Sequence, residues 1–129
     1  MKKFRDEGMK KIFIFLNSNI LNKKSNQINM PKIYEYFGLI FFFYSNEHLP
    51  IHVHVSKAES EMKFDLVYEV GKLLRIDIKK ISGKETLSKN DINDAIELIK
   101  THHEDICRKW TDFFVMGKQI SVEKISKKI

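Results

Sequence analysis

The hydrophobic pattern changes period once along the chain. From Ile33 to Ile81 apolar residues fall in short blocks, and from Ser88 onward they recur at helical spacing. The run Gly38-Leu39-Ile40-Phe41-Phe42-Phe43-Tyr44 is aromatic and β-branched and stops at Ser45-Asn46-Glu47, which is how a strand ends at a polar turn. Ile51-His52-Val53-His54-Val55 alternates with period two, and so does Glu61–Leu66; Lys57-Ala58-Glu59-Ser60 between them reads as the hairpin loop. After a turn through Glu69-Val70-Gly71-Lys72, Leu73–Lys80 places Leu74, Ile76 and Ile78 on one face. Four strands with short links predict an antiparallel meander.

The helical segment begins at Ser88, a natural N-cap with Asp91 three residues on. Ile92, Ile96, Ile99, Ile106, Trp110 and Phe113 then form a stripe that also takes in His103. This predicts one long helix, or two broken near Thr101, packed across the sheet. The expected fold class is α+β: an antiparallel β-meander of about four strands against one long C-terminal helix. Residues 1–29 read differently, as a Lys-, Asn- and Ser-rich extension with one apolar island at Ile12–Leu16; a single α+β domain is expected over 30–129, opening at Met30-Pro31.

Register follows from the loop. If Lys57–Ser60 closes the hairpin, Ser56 faces Glu61, and the pairs onward are Val55–Met62, His54–Lys63, Val53–Phe64, His52–Asp65 and Ile51–Leu66. Every apolar residue then meets an apolar one, and a slip of one residue would destroy the agreement. The apolar side is the one a helix covers, so His52 and His54 point the other way with Asp65 beside His52. If Tyr44 lies opposite Ile51, Phe41 and Phe43 flank the two imidazoles. Such a face is too apolar to stand idle in water and is expected to be covered by the leader, a second copy or another protein.

Several readings of this cluster remain open. The imidazoles serve as polar fillers held by Asp65 and backbone groups; or His52 and His54, two apart on a strand, share a divalent metal with a third ligand from His48, Asp65 or Glu61. Acid–base chemistry is a third reading, with His52, His54 and Asp65 as catalytic candidates and Asp65 fixing the His52 tautomer. A fourth is recognition without chemistry, in which Phe41, Phe43, His52 and His54 contact a partner. No nucleophile is placed nearby. His102 and His103 point about 100° apart on a helix and chelate poorly together, so His103 is read as a packing residue and Cys107 as a buried, inert thiol.

Composition narrows the classes. The hydrophobic content of 43% and aromatic content of 12%, with ten Phe, exclude a disordered chain. One cysteine builds neither a disulfide framework nor a Cys-based zinc site. No apolar run approaches the roughly 18 residues of a membrane span, and the first residues lack the layout of a secretion signal, so a cytoplasmic location is expected. The net charge of +6 suggests nucleic acid, but residues 1–29 hold seven basic residues against Asp6 and Glu7, leaving residues 30–129 nearly neutral. The helix carries Asp91, Asp94, Glu97, Glu104, Asp105 and Asp112, which does not suit a DNA groove. Lys127-Lys128 reads as a solvated tail.

Met30-Pro31, Gly38 with its apolar strand, and Glu47-His48-Leu49-Pro50-Ile51-His52-Val53-His54-Val55 resemble domain-of-unknown-function family 4160, whose hallmark is H-x-P-P-H-x-H-V. The segment from Ile92 through His102-His103, Trp110 and Phe113-Phe114 is similar to that family's long closing helix, so the resemblance covers roughly residues 30–125. Ile51 stands where the family often has a second proline. The resemblance implies a bacterial protein encoded beside a small partner, in a gene pair like a toxin–antitoxin module. Some members are labelled transcriptional regulators. The function expected is therefore a protein-binding component of such a pair, with a histidine- or metal-dependent hydrolase or nuclease as the alternative.

Overall fold

A computed structural model describes residues 30–46 and 49–129. The expected extension over 1–29 and the expected ligand His48 lie outside the described residues. The elements in chain order are β1 (Lys32–Tyr36), β2 (Leu39–Phe42), β3 (His52–Lys57), β4 (Ser60–Glu69), β5 (Lys72–Lys80), α1 (Lys89–Phe114) and β6 (Glu123–Ile125). Among the described residues the strands make one six-stranded sheet, ordered β5-β4-β3-β2-β1-β6. The first five strands form an antiparallel meander, and β6 joins β1 in parallel after α1 has carried the chain back across the sheet. The α+β class holds, with two strands more than the pattern suggested.

Tight turns set the meander. Phe37-Gly38 and Val70-Gly71 link paired residues through two positions of positive φ, at 47° and 87° and at 53° and 76°. Positive φ at both positions is the primed turn whose twist matches that of the strands it joins. The β3–β4 hairpin is shorter than expected: Lys57 pairs with Ser60, so only Ala58 and Glu59 form the loop, yet the register from Ser56–Glu61 to His52–Asp65 is the expected one.

The β2–β3 register is not. Phe41 pairs with Val55 and Phe42 with His54, one residue away from the expected alignment. A one-residue shift exchanges the faces. Phe41 and Phe43 therefore lie in the core at 0% and 1% exposure, with the Phe43 ring 5.8 Å from Phe114 of α1. Three consecutive phenylalanines carry no polar alternation, so nothing in that strand marked which rings turn inward.

The core gathers Ile33, Tyr34, Phe41, Val53, Val55 and Phe64 of the sheet against Leu98, Ile99, Ile106 and Trp110 of α1. Ser88 caps the helix, its Oγ accepting from the Asp91 amide at 3.1 Å. The helix kinks at His102 (φ −112°, ψ 17°), beside the break expected near Thr101. Polar links also bind helix to sheet, among them Lys57 to Asp91 at 3.3 Å. The Tyr34 hydroxyl donates to Asp105, and the Tyr68 hydroxyl lies 2.7 Å from His103 Nδ1. Lys127 and Lys128 are exposed, as expected, but the segment is held to the sheet. β6 pairs with β1, Lys128 reaches Asp94 at 3.2 Å and sits over the Phe37 ring, and the Ile129 amide donates to the Tyr36 hydroxyl.

Candidate functional site

β3 aims Val53 and Val55 at α1 and its alternate residues, His52 and His54, at the opposite face. Both imidazoles are buried, at 6% and 5% exposure, with ring centroids 5.4 Å apart. The rings beside them are Phe42, stacked on His54 at 5.5 Å, and Tyr44, edge-on to it at 4.5 Å. The aromatic neighbours of the histidines are thus Phe42 and Tyr44, not the expected Phe41 and Phe43.

Each imidazole is held through Nδ1. His54 Nδ1 donates to Glu61 Oε2 at 3.1 Å, and the Tyr44 hydroxyl donates to the same oxygen at 3.1 Å. His52 Nδ1 lies 2.8 Å from the Pro50 carbonyl; a carbonyl only accepts, so that nitrogen carries the proton. Pro50 follows a cis peptide bond. With Nδ1 carrying a proton in both rings, Nε2 is the nitrogen each has left for exchange. A histidine held through Nδ1–H in this way is one arrangement used for proton transfer or metal ligation.

Asp65 sits opposite His52 in the ladder but does not orient it. Its Oδ2 is 2.8 Å from Lys79 Nζ and its Oδ1 4.0 Å from Lys63 Nζ, and among the described residues the buried Oδ1 makes no hydrogen bond. The same pairing, through the hydrogen bond to Asp65 first, raises the Lys79 ammonium pKa above its ordinary value. The carboxylate that partners a histidine is Glu61, foreseen only as a metal ligand. Glu61 lies diagonal to His54 in the expected register, so the diagonal neighbours of the hairpin were the signal that would have found it. Among the described residues no three His, Cys, Asp or Glu side chains converge as a metal-binding group.

An open cleft of about 330 Å³ runs beside this cluster on the face away from α1. Ile40, Phe42 and Tyr44 give it apolar walls, and Lys32, Lys84 and Glu61 supply charge. Lys84 Nζ stands 3.8 Å from Glu61 Oε1, so the cleft shares its carboxylate with His54. The Tyr68–His103–Cys107 network lies elsewhere, against α1, with Cys107 donating to the Tyr68 hydroxyl at 3.1 Å. Burial pushes the Cys107 thiol up, Glu104 adds to this, and the Tyr68 bond opposes it. That thiol is poorly ionised at neutral pH, in keeping with a packing role.

Among the described residues no helix is long and apolar enough to cross a membrane. The family described as "Domain of unknown function (DUF4160)" matches residues 38–111, which span β2 to most of α1 and include both histidines. No curated protein and no solved structure matched the chain.

Proposed function

The chain belongs to the DUF4160 family, and from that premise we propose that it acts by binding another protein, as one half of a toxin–antitoxin-like pair. The observation that carries this reading is the cleft beside the histidines, with Ile40, Phe42 and Tyr44 in its walls and two lysines around them. Glu59 and Glu61 balance the two lysines, so these apolar walls with a rim of both charges suit an apolar side chain of a partner with polar groups around it, the layout of a protein interface. His54 and Glu61 brace the Phe42 and Tyr44 rings from behind and so hold the pocket's shape. The partner class is the small protein that the family resemblance implies. Calorimetric titration with the product of the neighbouring gene tests the reading. Ile40→Asp and Lys84→Glu should each weaken binding by roughly tenfold or more while the circular dichroism stays that of wild type. Wild-type affinity in both variants, or no binding by the wild type, refutes it.

The two imidazoles held through Nδ1 favour a second reading, acid–base chemistry of a hydrolase or nuclease through His52 and His54, with Glu61 in the role first given to Asp65. Elemental analysis after purification and an RNA-cleavage assay on wild type and His54→Asn separate the two. Cleavage that disappears in the variant supports chemistry, and its absence in the wild type removes it.

A further inference from the structure

β5 is an outermost strand of the sheet, nine residues long, and among the described residues only β4 pairs with it. It projects past the cover that α1 provides. Leu74 and Ile78, on the same side of the sheet as α1, are 54% and 38% exposed, and Ile76 between them is half-buried. A long edge carrying uncovered apolar residues is a template for another strand, and proteins usually blunt such edges with short strands, bulges or inward charges. The β5 ladder is regular from Arg75 to Lys80, and its one irregularity falls at Leu74, beside the Val67/Tyr68 step of β4. On the opposite face Arg75 and Asp77, joined through Nε and Oδ1 at 2.8 Å, flank Ile76, with Lys79 next along the strand.

That arrangement is self-complementary. We propose that β5 is a self-association edge on which a second copy of this chain pairs antiparallel, with the two-fold axis at Ile76. In that register Ile76 lies opposite Ile76, Leu74 opposite Ile78, and Arg75 opposite Asp77. The last two pairs occur twice, as in any isologous interface. On one face the exposed Leu74 and Ile78 of each copy cover each other. On the other, Arg75 and Asp77 of the two copies form a checkerboard of alternating charge. Moving the axis by one residue sets Arg75 against Arg75, or Asp77 against Asp77, so charge selects this register over its nearest alternatives. Lys72 and Lys80 meet only at the exposed ends of the pairing. The surface is separate from the histidine cleft, and the proposal does not rest on the function assigned to that cleft.

The register has a consequence that a merely sticky edge lacks. In Arg75→Asp, acidic residues 75 and 77 of one copy face the same two in the other, and in Asp77→Arg both positions are basic. Each variant should dissociate roughly tenfold more easily than wild type in sedimentation equilibrium of the full chain. Mixed with each other, the two variants should form a heterodimer, because each acidic position then meets a basic one. The exchange variant Arg75→Asp/Asp77→Arg should dimerise like wild type. Both side chains are surface groups, 58% and 38% exposed, so the fold should survive, and circular dichroism checks it. A monomeric wild type, single variants that dimerise as wild type does, or a mixture that stays monomeric each overturns the proposal.

Discussion

Replacing Tyr34 by Phe removes one oxygen from the contact between β1 and the middle of α1. Tyr34 is fully buried, and its hydroxyl donates to Asp105, which also receives Arg108 and lies 3.6 Å from Lys109. A net contribution of about 1.5–3 kcal/mol is typical of a hydrogen bond to a charged group. Asp105 keeps its two cations in the variant and is 26% exposed, so the lower end applies, about 1.5 kcal/mol. With an m-value of roughly 1 kcal/mol/M for a small domain, the urea midpoint at pH 7 should fall by about 1.5 M. The pH dependence supplies a second check. Burial alone would raise the Asp105 pKa, but the Tyr34 hydrogen bond and the Arg108 and Lys109 charges outweigh it and hold the carboxyl below its usual value. A carboxyl whose folded pKa is depressed contributes stability that is complete above its unfolded pKa of roughly 4 and is lost as pH falls through the folded value. Burial first, and then Asp105, hold the Tyr34 hydroxyl above the ordinary tyrosine range, so it stays protonated throughout this window. The gap between wild type and variant should therefore be widest at neutral pH and narrow below pH ~4. A variant within about 0.3 kcal/mol of wild type at pH 7, or a gap that does not narrow in acid, refutes the account.

Other expectations are as direct. Val70, 94% exposed at φ 53°, is a β-branched residue in a left-handed turn position, so Val70→Asn should raise stability by about 1 kcal/mol and the melting temperature with it. Glu61→Ala takes an acceptor from both His54 and Tyr44 and should lower the unfolding free energy by about 2 kcal/mol in urea. Ile106→Ala, at a fully buried core position, should remove about 2–5 kcal/mol. Alkylation of Cys107 by iodoacetamide at pH 8 should run well below the rate of a free thiol and rise to it in denaturing urea.

The elements that could be read in the sequence were those whose polar and apolar residues alternate. β3 and β4 do so from His52 to Val55 and from Met62 to Asp65, and the register that follows from their loop sets Val53, Val55, Met62 and Phe64 on one face. Phe41-Phe42-Phe43 offers no such constraint, and the sequence alone does not separate the core rings Phe41 and Phe43 from Phe42 beside the histidines. β1 packs with a register irregularity between Lys32 and Tyr34 and buries Ile33, Tyr34 and Tyr36, so it shows no period-two pattern. β6 is three residues long and exists because the chain leaving α1 returns beside β1, a condition no local signal announces. Within the site, His52 and His54 on one face were legible. The carboxylate pairing was not, because Lys79 of β5 captures Asp65 from the neighbouring strand.

The return of the chain to β1 also bears on how far copies can assemble. β6, with Lys128 and Ile129 folded over Phe37 and Tyr36, seals one rim of the sheet with a three-residue rung. Were both rims bare, strands could add at each end and build an open-ended filament. For the β5-paired dimer proposed above, a three-residue outer rung leaves little edge on which further copies could add. Deleting residues 121–129 should uncover β1, and if the proposed pairing holds, sedimentation of that variant should show species larger than a dimer.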